Sequence, residues 1–370
     1  MLPLRVVCVG ASNSLMVPGY LTQLPECAEA ASTPIHIVSN LAIGNTASLT
    51  GLHRLASHGN LEDVDVLLIE YALTDTSFYG AERKNLETWA ANYEALVRFA
   101  LLANPKLKIV SIILYNRLGL HRKTIPPLAA GIYYLSDWYG TRYVDLNREF
   151  TIRFGADHQD LAGIYTDRAH YSRPIMTRLI AESVASVIAE VAREPSRARR
   201  MPPPVDPSCP CDVSILQASE WEELPPQVYR NSRYEVRARD LFGYRAKFQV
   251  AQGRLLSILF VCPPGVSRLH ARINDVCYEL PMLRPNVRDG KFQFLLASAN
   301  FDMVPSAGNG RMSYELSAVP ECGETPVPLP QSGGVFSAQH PETTLPLISL
   351  MHTGSVSDVA FSRSARMHDL

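Results

Sequence analysis

Residues 4–13 read Leu4-Arg-Val-Val-Cys-Val-Gly-Ala-Ser-Asn13, and this stretch decides the fold. The apolar run from Val6 to Val9 is typical of a strand buried on both faces of a parallel sheet. In an open α/β sheet, the residues that follow the carboxyl end of such a strand face the ligand crevice. Gly10 permits a sharp turn at that point, which leaves Ser12 at the mouth of the crevice. On this stretch alone Ser12 is either a nucleophile or the cap of the next helix, with Ser14 as a competing serine.

Apolar strands and amphipathic helices alternate from this stretch as far as residue 194. Short strands are predicted at 35–38, 64–71, 107–114 and 143–146, and the clearest helix covers Leu86 to Leu101, where apolar residues recur at three- and four-residue spacing. Strands that alternate with helices at these intervals predict a parallel sheet with right-handed crossovers. The first domain is therefore predicted to be an α/β domain over residues 1–194.

Three further segments carry polar residues near strand ends. Gly44 lies in Ser39-Asn-Leu-Ala-Ile-Gly-Asn-Thr46, and a second segment, Leu67-Leu-Ile-Glu-Tyr-Ala-Leu-Thr-Asp75, is a strand that ends in polar residues; Asp167-Arg-Ala-His170 precedes a long helical pattern. With Gly10-Ala-Ser12, this order and spacing resembles the SGNH branch of the GDSL-type serine esterases and acyltransferases. The resemblance implies a three-layer, flavodoxin-like sheet in the order 2-1-3-4-5, with Ser12 beside the point where the strand order reverses.

The same resemblance assigns roles to the residues in these positions. It implies that Ser12 is the nucleophile, His170 the general base and Asp167 the carboxylate that orients the base. It places Gly44, Thr74 and Asp75 at the oxyanion and substrate-binding positions. Asp75 also competes with Asp167 for the acid role, and a surface loop that caps a helix is the alternative for Asp167 and His170. The chain departs from the family at Ala11, where Asp is commoner, and at Thr74, where an asparagine would donate to the oxyanion.

Beyond residue 194 the pattern changes twice. Residues 195–211 combine proline with basic residues and show no periodicity, which predicts an interdomain linker. Residues 212–322 contain short, often alternating apolar segments separated by Gly, Pro, Asn and Asp, which predict a smaller antiparallel β domain of the sandwich type. Residues 323–370 are rich in Pro, Ser, Thr and Gly and are expected to form a poorly ordered tail.

Composition and charge limit the partners. The 370-residue chain is 46% hydrophobic with a formal net charge of -1, so it provides no general field for nucleic acid or anionic lipid. Its apolar runs are shorter than the ~20 residues of a membrane span. The N-terminus leads directly into a strand without a leader pattern, so a cytoplasmic location is expected.

The seven cysteines do not predict a metal site. Cys8, Cys262 and Cys277 lie in apolar runs and are expected to be reduced, and Cys209-Pro-Cys211 lacks the partner pair that a zinc site needs. No cofactor is expected, and the oligomeric state is not predicted.

Three functions fit these observations. The first is an esterase that removes acetyl or other short acyl groups from a carbohydrate by acyl-enzyme chemistry. The second is an O-acetyltransferase that modifies a glycan with the same serine. The third is a catalytically idle SGNH domain that serves as a binding module, which the threonine at position 74 favours. Acetyl-donor turnover separates the second from the first, and covalent labelling of Ser12 separates both from the third.

Overall fold

The structure is a computed structural model that describes residues 2–81, 85–117, 125–195, 200–305, 310–319, 325–331, 334–335 and 342–364. By its internal contacts the chain divides into two compact units, with the boundary between Cys211 and Asp212. Within the described residues, the first unit runs β1 (Leu4–Gly10), α1 (Tyr20–Ala30), β2 (Ile35–Asn40), α2 (Ser48–His58), β3 (Val66–Glu70), α3 (Ala72–Ala81), α4 (Leu86–Ala103), β4 (Lys108–Ile113), α5 (Ile125–Tyr139), β5 (Arg142–Asp145), α6 (Leu146–Phe154) and α7 (Ile175–Arg193).

The first unit is built on one parallel sheet in the order β2-β1-β3-β4-β5. Residues 6–9 of β1 and all of β3 are buried, as expected for strands at the centre of a sheet with helices on both faces. The predicted strand order and the α/β class are confirmed. Because β1 lies between β2 and β3, the residues after all three strands converge at one edge of the sheet.

Two helices of this unit were not predicted. Helix α3 begins directly after β3, at Ala72, where the sequence analysis placed only polar strand-end residues, and α6 follows β5 without a loop. Asp145 caps α6 by accepting hydrogen bonds from the N–H groups of Asn147 and Arg148. The start of α3 decides where Thr74 and Asp75 point.

Within the described residues, the second unit runs β6 (Val213–Gln217), β7 (Pro226–Arg230), β8 (Glu235–Asp240), β9 (Tyr244–Ala251), β10 (Leu255–Cys262), β11 (Leu269–Ile273), β12 (Val276–Leu280), α8 (Pro285–Arg288), β13 (Leu295–Asn300), β14 (Arg311–Ser317), β15 (Val327–Pro328), β16 (Pro346–Thr353) and β17 (Ser355–Arg363). These strands form two sheets, antiparallel except for the short pair of β12 with β15. One sheet has the order β13-β10-β16-β8-β7, with β6 also paired to β16, and the other has the order β15-β12-β11-β14-β9-β17. Both contribute to one apolar core.

The last described residues correct the prediction of a poorly ordered tail. Strand β16 pairs with β10, β8 and β6, and its side chains are largely buried. Strand β17 pairs with β9. The chain turns between them at Gly354, whose φ of 71° favours glycine. Residues 323–324, 332–333, 336–341 and 365–370 of the predicted tail lie outside the described residues.

The segment expected to be a linker is attached to the first unit over residues 200–211. Glu94 of α4 accepts hydrogen bonds from the backbone N–H of Val205 at 2.6 Å and of Asp206 at 3.0 Å. Arg98, one helical turn later, donates to the carbonyl of Pro202 at 2.7 Å. Residues 196–199 lie outside the described residues.

The cysteines differ from expectation at one position. Cys8 and Cys262 are free and buried, whereas Cys277 is disulfide-bonded rather than reduced. Disulfides persist mainly in oxidising compartments. The cytoplasmic location expected from the sequence stays a prediction.

Candidate active site

The turn that carries Ser12 is compact because Gly10 ends β1 against β3. A Cβ on Gly10 would lie 2.5 Å from Ser14 Oγ and 3.1 Å from Glu70 Cβ, so no larger residue fits. The chain then enters a single turn of 3₁₀-helix, Ser12–Leu15. Ser12 is half-buried within this turn, while Ser14 is buried.

The structure separates the two candidate serines. Ser14 Oγ lies 2.7 Å from the Tyr20 hydroxyl and donates to Glu70 Oε2 at 3.0 Å, under the turn. Ser12 Oγ lies 2.8 Å from His170 Nε2. Of the two serines, Ser12 contacts an imidazole and is partly exposed, whereas Ser14 is buried and hydrogen-bonded to a buried carboxyl, so the geometry favours Ser12 over Ser14 as the nucleophile.

Asp167 completes a linear chain of three side chains. Its Oδ2 lies 2.7 Å from His170 Nδ1, and its Oδ1 accepts the backbone N–H groups of Ala169 at 2.8 Å and His170 at 2.9 Å. Partial burial raises the pKa of Asp167, but these two N–H groups and the imidazole outweigh burial and hold its pKa below the ordinary value. The carboxylate is therefore charged at neutral pH and fixes one orientation of the ring.

The loop that bears Asp167 and His170 is held from both sides. Asn13, next to Ser12, donates from Nδ2 to the carbonyl of Ala169 at 3.0 Å. On the β4 side, the N–H of Arg117 donates to the carbonyl of Arg168 at 3.0 Å. These contacts fix the distance between Ser12 and His170 before any substrate binds.

Gly44 lies beside Ser12, as the resemblance implied. The N–H of Ile43 donates to the carbonyl of Gly10 at 3.0 Å, which continues the β1–β2 pairing past the end of β2. A Cβ on Gly44 would be 3.8 Å from Ser12 Cβ. Among the described residues, the backbone N–H groups of Ser12 and Gly44 donate to no other group.

Thr74 makes a local hydrogen bond, whereas Asp75 connects α3 to α2 and α4. Thr74 is buried in the first turn of α3, and its hydroxyl donates to the carbonyl of Tyr71 at 3.1 Å. Asp75 is also buried; its Oδ1 accepts the N–H of Ser48 at the start of α2, and its Oδ2 accepts the Trp89 indole N–H. The Thr74 hydroxyl and the Asp75 carboxylate thus already have hydrogen-bond partners, and the predicted oxyanion and substrate-binding roles of these residues stay predictions.

Glu70 is a residue whose part in the site the sequence analysis missed. It is fully buried, and its Oε2 accepts hydrogen bonds from the Ala11 N–H at 3.2 Å and from the Ser14 hydroxyl. Burial raises its pKa to about 7, against the opposing effect of hydrogen bonds from Ser14 and Ala11. The available signal was a glutamate that ends an otherwise apolar strand, Val66–Glu70.

The described residues contain no group of three or more His, Cys, Asp or Glu side chains that could hold a metal ion. Within the same part of the chain, no helix has the length and apolar character needed to span a membrane.

Solved structures show which fold this arrangement belongs to. A two-domain esterase active on acetylated mannans, co-crystallised with mannopentaose, matches 98% of this chain and 92% of its own with a TM-score of 0.63 at 12% identity. A second structure of a two-domain esterase active on acetylated mannans matches with a TM-score of 0.59, again at 12% identity, over 97% of this chain and 92% of its own. A family 3 carbohydrate esterase of Clostridium thermocellum matches 52% of this chain and 100% of its own, at 15% identity and a TM-score of 0.41.

No family model matches the chain, and no curated protein matches it. The whole-chain match, together with the sheet order above, shows the fold: a five-stranded parallel α/β sheet followed by antiparallel β sheets. The predicted resemblance is confirmed as a likeness of fold.

Proposed function

We propose that this protein is a serine esterase that removes short acyl groups, acetyl foremost, from a carbohydrate. The observation that carries the proposal is the chain of contacts from Ser12 Oγ to His170 Nε2 at 2.8 Å and from His170 Nδ1 to Asp167 Oδ2 at 2.7 Å. These are hydrogen-bond distances at which a base can take the proton of a serine hydroxyl.

The geometry supports the following sequence of steps. His170 Nε2 accepts the Ser12 proton as Oγ attacks the ester carbonyl, and Asp167 stabilises the imidazolium by accepting from Nδ1–H. The tetrahedral intermediate collapses when His170 returns that proton to the leaving alkoxide of the sugar, which leaves an acyl-serine. Water then attacks the acyl group with His170 again as base, and acetate and free Ser12 are released.

The oxyanion is assigned to backbone donors. Gly44 lies beside Ser12, and the N–H groups of both residues make no other hydrogen bond among the described residues. The Thr74 hydroxyl is already donated to Tyr71. Backbone N–H groups suit this task because they are fixed before the charge develops.

The carbohydrate substrate is proposed from the whole-chain match. The matched esterase, which is described as active on acetylated mannans, shares the succession of an α/β unit and a β unit over 98% of this chain. The near-zero net charge of this chain also suits a neutral polysaccharide better than a polyanion. We assign the second unit to substrate choice rather than to the chemistry.

The test is covalent labelling of the intact protein with a serine-directed phosphonate, followed by peptide mapping. We expect one adduct, on Ser12, and loss of short-ester hydrolysis by about 10⁴-fold or more in Ser12→Ala. Ser172→Ala is the matched control, because this half-buried serine lies two residues beyond His170 and should keep full activity.

The outcomes separate the three functions. If the wild-type protein binds a carbohydrate but takes up no phosphonate label, the result would indicate the idle binding module and refute the esterase. If acetyl transfer to a glycan acceptor is faster than the release of acetate, the result would indicate the O-acetyltransferase. Release of acetate from an acetylated mannan by the wild type and not by Ser12→Ala would support the esterase.

A further inference from the structure

Two thiols outside the active site are in direct contact at the end of the first unit. Cys209 Sγ and Cys211 Sγ lie 3.0 Å apart, and both residues are half-buried and free. The N–H of Cys211 donates to the carbonyl of Cys209 at 2.8 Å, which closes a tight turn around Pro210. A disulfide requires Sγ atoms ~2.05 Å apart, so a movement of about 1 Å would join them.

Arg98 contacts only one of the two thiols and so distinguishes Cys211 from Cys209. Its Nε donates to Cys211 Sγ at 3.1 Å, while its Nη1 donates to the Tyr139 hydroxyl at 2.9 Å and to the Pro202 carbonyl. The guanidinium is buried and held from several directions, so its charge is fixed beside one sulfur of the pair. Cys209 has no such contact with Arg98.

The environment shifts the pKa values of the two thiols in opposite directions. The hydrogen bond with Cys209 lowers the pKa of Cys211 to about 7, with Arg98 adding to this effect against partial burial. The same hydrogen bond and burial raise the pKa of Cys209. By contrast, burial raises the pKa of Cys8 to about 12 and of Cys262 to about 11, which makes these thiols inert.

We propose that Cys209 and Cys211 form a redox-active dithiol that closes to an intramolecular disulfide by exchange with a small disulfide such as oxidised glutathione. The Cys211 thiolate attacks one sulfur of that disulfide, forms a mixed disulfide and releases one glutathione thiolate. Cys209 then loses its proton and attacks the Cys211 sulfur, which releases the second glutathione. Two protein thiols are oxidised, one external disulfide is reduced to two thiols, and the two protons go to the departing thiolates.

Oxidation has a structural consequence where the first unit ends. Once Cys211 is in a disulfide it carries no negative charge, so Arg98 loses the acceptor for its Nε–H. Arg98 and Glu94 together attach residues 202–211 to α4. Closure of the disulfide should therefore increase hydrogen exchange in residues 200–211, which precede the boundary with the second unit.

The test uses the wild-type protein and a small alkylating reagent, with the modified residues mapped by mass spectrometry. We expect Cys211 to react first, with a half-maximal rate near pH 7, and Cys8 and Cys262 to react only after unfolding. Oxidised glutathione should remove two hydrogens from the protein, give a Cys209–Cys211 cross-linked peptide and abolish alkylation at both positions. Equal, slow alkylation of Cys211 and Cys262, or a glutathione adduct that never resolves, would overturn the proposal.

Two variants assign the roles within the pair. Cys209→Ser should hold glutathione as a stable mixed disulfide on Cys211, because no second thiol can displace it. Cys211→Ser should leave Cys209 unmodified at neutral pH. Arg98→Gln should slow alkylation of Cys211 at pH 7 several-fold, and wild-type circular dichroism and ester hydrolysis should show that each variant is folded. A Cys211→Ser protein that still takes up glutathione at Cys209 would contradict the assignment of Cys211 as the attacking thiol.

Discussion

Replacement of Glu70 by glutamine should remove a large pH dependence from the stability of the first unit. Glu70 is fully buried beneath the turn that carries Ser12, and burial raises its pKa from 4.5 to about 7. In the unfolded chain this carboxyl ionises near its ordinary value, so the folded state binds more protons between these two pH values. Stability must then fall as pH rises through this window and level off above about pH 7.

The magnitude follows from the same linkage. One pKa unit corresponds to about 1.4 kcal/mol, so a carboxyl moved from 4.5 to about 7 lowers the free energy of unfolding by about 3 kcal/mol across the window. Glutamine does not ionise, yet its amide oxygen can still accept from the Ala11 N–H and the Ser14 hydroxyl. The expected change is thus in the pH dependence, beyond any constant cost of burying the new amide.

The measurement is the free energy of unfolding of the first unit at both ends of the pH window. It is obtained from the hydrogen-exchange protection of β1 and β3. The difference between wild type and Glu70→Gln should change by about 3 kcal/mol between the two conditions. Other groups that titrate, such as buried His53 with its pKa lowered to about 3, contribute equally to both proteins and cancel. Glu29→Gln, at an exposed position on α1, is the matched control. An identical pH dependence in wild type and Glu70→Gln would refute the reasoning.

Four substitutions and a pair of fragments test the site and the boundary between the units. Gly44→Ala places a methyl group 3.8 Å from Ser12 Cβ in ordinary contact, so the protein should fold but hydrolyse esters roughly tenfold or more slowly in steady-state assays. Thr74→Ala should leave turnover unchanged, since its hydroxyl already donates to Tyr71, and a clear loss would restore it as an oxyanion donor. Asp167→Asn should lower turnover by about 10²–10⁴-fold, whereas Asp75→Asn should lower the free energy of unfolding by about 1–3 kcal/mol with little effect on turnover. A fragment ending at Cys211 should keep small-ester hydrolysis and melt at a higher temperature than one ending at Pro195, which lacks the contacts to Glu94 and Arg98.

The parts of the fold that the sequence predicted are those fixed by local pattern. Burial on both faces of a strand leaves an apolar run, and a helix on a sheet leaves an apolar stripe, so the strands of the first unit could be predicted from short windows. Strands β16 and β17 could not. They are stabilised by pairing with β10 and β9, roughly a hundred residues earlier in the chain. The surrounding Pro, Ser, Thr and Gly residues also obscure the alternation of apolar and polar residues in these strands. A pairing partner at that distance leaves no mark within a local window.

The contacts of Thr74 and Asp75 likewise could not be predicted from the local sequence. Their positions in the chain match the third block of the SGNH pattern, and position alone suggested that both side chains face the oxyanion. Their direction depends instead on where α3 begins. Since the helix begins at Ala72, directly after Tyr71, the Thr74 hydroxyl lies within reach of the Tyr71 carbonyl, and Asp75 faces the start of α2 and the Trp89 indole. The Thr74 hydroxyl therefore donates to a carbonyl three residues earlier in the chain. In the proposed function the oxyanion donors are therefore the backbone N–H groups of Ser12 and Gly44, and a higher turnover in Thr74→Asn would identify position 74 as the place of a third donor.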